Sequence, residues 1–195
     1  MENELKEAAF KYNFITPQEY LAMERASEEK HEYYDGRVLA MSGAGAKHNL
    51  IASNLVGKIS SSLEGKDCRI LFSEMRVSTA EQDAYMYPDA LIVCGGLELE
   101  DDKFDTLLNP AVIFEILSPS TRSIDKGRKL FFYQQIPSLK EYIMIDSLKR
   151  FIQLARKKND GGWVFENNSD PDSSLYIQTI DFTLSMDEIY KDTGL

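Results

Sequence analysis

Tyr87-Pro88-Asp89-Ala90-Leu91-Ile92-Val93-Cys94 and Pro110-Ala111-Val112-Ile113-Phe114-Glu115-Ile116-Leu117 decide how this chain folds. Both runs read as strands of a sheet interior. Side chains alternate between faces along a strand, so Ile113, Glu115 and Leu117 share one face, and Val112, Phe114 and Ile116 share the other. Glu115 is therefore an acid flanked by apolar groups. An ionised carboxylate in such a setting is costly unless it meets a cation or a metal. Asp89 follows a proline at the start of its own apolar run. If the two strands are neighbours, Asp89 and Glu115 converge at one end of the sheet.

A basic segment comes directly behind the second strand, with Arg122, Lys126, Arg128 and Lys129. The stretch from Asp125 to Gln135 reads as a helix that Pro137 ends. On it Lys126, Lys129, Leu130 and Tyr133 fall at spacings of three, four and seven and share a face. Hard cations such as Mg²⁺ take oxygen ligands, often one or two carboxylates with waters and substrate phosphate. A lysine over those carboxylates would orient an attacking water or steady charge on a phosphate. The residues also admit plainer roles. Glu115 can be a structural ion pair with Lys129 or Arg122, Lys129 a snorkelling surface lysine, and Lys126 a phosphate contact.

The rest of the chain supplies the frame. Residues 1–14 are mixed and charged and read as a loose arm. Thr16-Pro17-Gln18-Glu19 has the form of a capping box with proline in the first turn, and starts a helix reaching about Ala26. Asp35-Gly36 between short β-like runs is a hairpin signal, with Glu32 in its first arm either as a surface acid or as a site residue. Leu50, Ile51, Leu55, Val56, Ile59 and Leu63 recur at helical spacing, and Gly65 is the stop. His48, at the start of this helix, is either a polar terminal residue or a substrate contact. Cys68–Phe72 and Met75–Thr79 read as strands, and Cys68 and Cys94 as buried reduced thiols. Gly95 to Asn109 is acidic and reads as a solvated loop or a poor short helix. Glu141–Asp146, Lys149–Arg156, Trp163–Glu166 and Leu175–Ile180 are further strands. Ser185-Met186-Asp187-Glu188 is a second capping box opening a short final helix. The order of elements implies one α/β (α+β) domain on a mixed sheet, with an extra C-terminal β-hairpin.

Composition narrows the function. The 195 residues are 43% hydrophobic and 28% charged, as in a folded soluble domain. No apolar run approaches the roughly 18 residues of a membrane span. The start of the chain lacks a basic end and an apolar core, so no export signal is read and a cytoplasmic location is expected. A net charge of −10 argues against coating nucleic acid through bulk charge. Two histidines and two cysteines make no zinc spacing.

Tyr87-Pro88-Asp89, Glu115-Ile116-Leu117-Ser118-Pro119-Ser120-Thr121-Arg122, then Asp125, Lys129, Tyr133, Glu141-Tyr142 and Asp146 together resemble the Uma-type (Uma-two) restriction-endonuclease-like family of the PD-(D/E)xK nuclease superfamily. Glu32-Tyr33-Tyr34-Asp35-Gly36 and His48 also fit its pattern. The resemblance implies a restriction-endonuclease-like core of helix, three strands, helix and strand. It implies Mg²⁺-dependent (or Mn²⁺-dependent) hydrolysis of DNA phosphodiesters. Asp89, Glu115 and the carbonyl of Ile116 would hold the metal. Glu32 would complete the site, and Arg122, Lys126 and His48 would meet the substrate. The lysine expected two residues after the second acid is absent, since Leu117 stands there; Lys129 on the following helix matches the position to which the role moves. DNA is the expected partner, and a homodimer is compatible with cutting two strands. The contrasting expectation is an inactive binding or interaction module on the same fold, which Leu117 and the acidic charge would suit.

Overall fold

The computed structural model describes residues 10–195. Its strands, in chain order, are β1 (Phe10–Asn13), β2 (His31–Tyr34), β3 (Arg37–Ala40), β4 (Cys68–Phe72), β5 (Arg76–Ser78), β6 (Ala84–Met86), β7 (Ala90–Cys94), β8 (Thr106–Leu107), β9 (Val112–Leu117), β10 (Glu141–Asp146), β11 (Ile152–Lys157), β12 (Trp163–Asn168), β13 (Ser174–Ile177) and β14 (Phe182–Ser185). The helices are α1 (Pro17–Ala26), α2 (Ala46–Ser62), α3 (Arg122–Ile124), α4 (Leu130–Tyr133) and α5 (Met186–Ile189). Of the arm expected over 1–14, residues 1–9 lie outside the described residues, while Phe10–Asn13 pair antiparallel with β3.

The mixed α/β class stands, but the strands divide between two sheets. One runs β1-β3-β2-β6-β5-β8 and the other β12-β11-β10-β9-β7-β4, and β13 and β14 form a separate hairpin. In the second sheet β9 is central, antiparallel to β7 and parallel to β10. A parallel neighbour needs a crossover, and here the helical segment 122–133 makes it. The order α2, β4, β7, β9, helix, β10 is the expected core.

Local chemistry explains the elements. Both capping boxes form, Thr16 with Glu19 and Ser185 with Glu188, each side chain accepting from the backbone three residues on. Asp35 and Gly36 both take positive φ in the β2–β3 hairpin, 46° and 82°, as a two-residue turn of this hand requires. Ile51, Leu55 and Ile59 bury one stripe of α2 against Ala90, Ile92, Val112, Phe114 and Ile116. On the opposite face Ile113 and Leu117 pack with Leu91, Phe132, Tyr133 and Tyr142. All six residues of β9 are buried, so Glu115 lies inside the protein with apolar residues on either side.

Four local expectations are corrected. Tyr87-Pro88-Asp89 lies outside any strand: proline has no N–H for a ladder, so pairing breaks there and β6 and β7 fall in different sheets. The acidic loop is anchored, because β8 pairs with β5 and Leu107 is buried. Arg25 reaches Asp101 at 2.7 Å and Asp105 at 2.8 Å, and Arg76 reaches Asp105 at 2.7 Å. The helix expected over Asp125–Gln135 runs instead from Arg122 to Tyr133 and contains a π-helical turn, Asp125–Lys129. Finally, Cys68 and Cys94 are not free thiols. They face each other across the β4–β7 ladder and form a disulfide.

That bond closes a loop of sequence separation 26, which the chain-entropy relation values at about 3.5 kcal/mol. Reduction with dithiothreitol, or Cys68→Ser with Cys94→Ser, is expected to lower unfolding stability in urea by about that amount. An unchanged midpoint would show that the edge strand does not need the staple.

Candidate active site

Asp89 and Glu115 converge where β7 begins. The last ladder pair of β7 with β9 is Ala90 with Phe114. Beyond it the N–H of Ile116 has no strand partner on that side, and the Asp89 carboxylate takes it, accepting at 2.6 Å on Oδ2. The same oxygen faces His48 Nε2 at 3.2 Å. A buried backbone donor needs an acceptor, so the side chain of Asp89 substitutes for the missing strand and is fixed by doing so.

Glu115 Oε1 accepts from Lys129 Nζ at 3.0 Å and from the Tyr133 hydroxyl at 3.1 Å. Lys129 closes the π-helical turn and points inward. Its ammonium stands 2.8 Å from Glu32 Oε1, 3.0 Å from Glu115 Oε1 and 3.6 Å from Asp125 Oδ1. Glu32 is buried, not a surface hairpin acid. It accepts from the backbone N–H of Tyr87 at 3.1 Å and from the Tyr34 hydroxyl at 2.8 Å. A second buried network steadies Tyr87 from behind: Glu24 accepts from its hydroxyl at 3.0 Å and from the N–H of His31. Arg76 donates to the same hydroxyl at 3.1 Å. Two residues beyond Tyr87 lies Asp89.

Charge explains how these groups behave. Burial lifts the Glu115 carboxyl well above its usual range, with Lys129 pulling the other way. Burial likewise lifts Asp125 to about 6, against the pull of Lys129. Burial opposes the Lys129 charge, but Glu115, Glu32 and Asp125 outweigh it and hold the ammonium well above its ordinary pKa. Three carboxylates thus face one ammonium, which stays charged. Burial pulls the His48 imidazole down, and the hydrogen bond and charge of Asp89 more than offset this, leaving it raised.

Asp89, Glu115, Ile116, Asp125 and Lys129 line the floor of a cleft of about 750 Å³, while Glu32 reaches it only through Lys129 and does not line it. One wall is α2, with His48, Asn49, Ala52 and Val56; the segment 40–44 and Phe72 border the opening. Lys126 and Arg122 do not line it. The Lys126 ammonium lies 5.4 Å from the ring centroid of Phe151, and Arg122 pairs with Asp146 at 2.7 Å. Conversely, Asp125 and the hydroxyls of Tyr34 and Tyr133 belong to the cluster. Asp125 carries a sequence signal, an acid four residues before Lys129; Tyr34 shares its strand face with Glu32 two residues away.

The family described as "Putative restriction endonuclease", Uma2, matches residues 17–187. The chain belongs to the Uma2 family. Two uncharacterized proteins of Synechocystis sp. are relatives. One is 33% identical over 177 residues, covering 91% of this chain and 92% of the relative. The other is 33% identical over 150 residues, covering 77% and 85%. A crystal structure of a putative nuclease belonging to DUF820 from Anabaena variabilis superposes with a TM-score of 0.74 at 20% identity, over 90% of this chain and 97% of that one. The Uma2 chain therefore shares that fold.

A hard dication suits the donor set. Among the described residues no three His, Cys, Asp or Glu side chains form a ready-made metal cage. Mg²⁺ does not need one, since one or two carboxylates with waters suffice. Three carboxylates, Glu32, Glu115 and Asp125, surround one ammonium, Asp89 lines the same cleft, and Asp125 Oδ1 is buried without a hydrogen-bond partner. That excess of acid over cation is what a bound divalent ion would relieve.

Asp125→Asn tests the charge balance. A carboxyl raised from 3.8 to about 6 in the folded state contributes stability that is present below the unfolded pKa and lost as pH rises through the folded one. Relative to Asp125→Asn, the wild type is expected to gain stability as pH falls from about 7 to about 4, by up to roughly 3 kcal/mol. Urea unfolding at several pH values reads this. A constant difference would mean that Asp125 is not a strained acid.

Proposed function

We propose that this Uma2 protein is a metal-dependent endodeoxyribonuclease that hydrolyses DNA phosphodiesters. The observation that carries the reading is the convergence of Asp89, Glu115 and the acid-paired Lys129 on the floor of one cleft. Asp89, Glu115 and the main-chain carbonyl of Ile116 would hold Mg²⁺ or Mn²⁺. When bound, the ion would supply polarisation of a phosphoryl oxygen and a water more easily deprotonated than bulk water.

The side chains divide the remaining work. Lys129 cannot serve as a general base, because its neighbours keep it protonated; it steadies negative charge gathering on the phosphate. Glu32 and Asp125 position Lys129 and keep it from rotating out of the site. Glu32 is itself fixed by Tyr34 and by the N–H of Tyr87. Ile116 N–H and His48 fix Asp89, and the His48 ring is placed to contact a phosphate from the α2 wall. The lysine has moved from the strand because β9 is closed at that position: Leu117 is fully buried among apolar residues. Hydrolysis adds water across the P–O bond, the phosphorus keeping the hydroxyl and the departing sugar oxygen taking a proton.

Nicking of supercoiled plasmid and cutting of circular single-stranded DNA, each with Mg²⁺ or Mn²⁺, check the reading, cleavage of either form counting as activity. Wild type is expected to cleave. Glu115→Ala and Asp89→Ala are expected to abolish cleavage, and Lys129→Met to slow it by about 10²–10³-fold. Lys126→Met, outside the cleft, is expected to leave it largely intact. An inert wild type, or a Lys129→Met variant as fast as wild type, would overturn the mechanism.

A further inference from the structure

The cleft carries an apolar border beside its charged floor. Phe72, at the end of β4, is 59% exposed, and Met41 is 39% exposed. With Ala44, Ala52 and Val56 they form an apolar border. Phe72 pairs with Ala90 across the β4–β7 ladder, so the ring stands beside the residue that follows Asp89. A single exposed aromatic is ordinary, but a contiguous apolar border beside a polar site marks a binding surface.

The charges around the cleft are spoken for. Among the described residues, its lining cations are Lys30, Lys129 and His48. Lys30 is bound to Glu74 at 2.6 Å and to the carbonyl of Ser73 at 2.8 Å. Lys129 is enclosed by acids, and His48 is held by Asp89. Acids line the cleft as well, including Glu29 and Asp125. The whole chain carries −10. A duplex presents one phosphate charge per about 1.7 Å of axis and keeps its bases inward, so it would offer this rim only what the rim repels. An unpaired strand presents base faces, which stack on aromatic rings without needing sequence readout.

We propose that the Phe72 rim seats an unstacked base of single-stranded DNA, placing the adjoining phosphate over Asp89 and Glu115. The proposal rests on nucleic acid being the substrate of this cleft, and it narrows that substrate to single strands. Phe72 is the specificity-determining residue, Met41 and Val56 enclose the base, and His48 faces the phosphate side.

Fluorescence anisotropy with the full chain tests this, using labelled oligodeoxythymidylate, alone or as its duplex with oligodeoxyadenylate, with Ca²⁺ in place of Mg²⁺. The single strand is expected to bind at least about tenfold tighter than the duplex, and Phe72→Ala to lose about tenfold of that affinity. Phe72→Trp should retain it, and duplex binding should be the same in all three proteins. Because Phe72 is exposed, each variant should unfold at the wild-type midpoint. The proposal is overturned if the duplex binds as well as the single strand, if neither binds, or if Phe72→Ala changes nothing. It is overturned too if thymidine monophosphate competes as strongly as the oligomer, which would make the cleft a small-molecule site. If single-strand preference and the Phe72 effect hold while Mg²⁺ yields no cleavage of either form, the hydrolytic reading fails and this one stands.

Discussion

The ammonium of Lys129, enclosed by Glu32, Glu115 and Asp125, is the interaction on which the rest depends. It joins β2 of one sheet, β9 of the other and the crossover helix at a single buried point. Removing one partner of a buried ion pair leaves an uncompensated charge and typically costs about 3–5 kcal/mol. Three acids around one base make the balance asymmetric. The excess of acid is held in place by covalent structure and neighbouring hydrogen bonds, not by its own favourable energy. Stability is spent here on charge that the fold alone does not require, which is the pattern expected of a site poised for a cation.

The π-helical turn is how the chain reaches this arrangement. Asp125 and Lys129, four residues apart, both lie on its inner side and are nearly inaccessible. Such insertions gather at functional positions because they re-aim one side chain without disturbing the helix on either side. With Leu117 packed into the core, the ammonium comes from the helix.

Much of this was legible in the sequence. The odd acid in an apolar strand marked Glu115, because burial of charge is costly enough to demand a partner. The capping boxes, the Asp35-Gly36 turn and the α2 stripe were readable because each is set by neighbours within a few residues. What the sequence did not carry was pairing at long range. Periodicity assigns Cys68 and Cys94 to strands but not to opposite positions in one ladder, so their disulfide was missed. Asp105 looked like a solubility residue because Arg25 and Arg76, its partners, lie far back in the chain. Lys126 and Lys129 look equivalent under regular helical spacing, and only the π turn separates the buried one from the one beside Phe151. The division of the strands into two sheets also escaped, since Pro88 signals a break but not where the next strand goes.

We propose Asp89, Glu115 and the carbonyl of Ile116 as a cation site, with Lys129 beside it and not within it. Anomalous diffraction from a crystal soaked in Mn²⁺ tests this most directly. The account expects one strong anomalous peak in contact with Asp89, Glu115 and the Ile116 carbonyl oxygen, with Lys129 still paired to Glu32. A cleft with no peak there, or a peak bound elsewhere while Lys129 remains closed on Glu115, would contradict it.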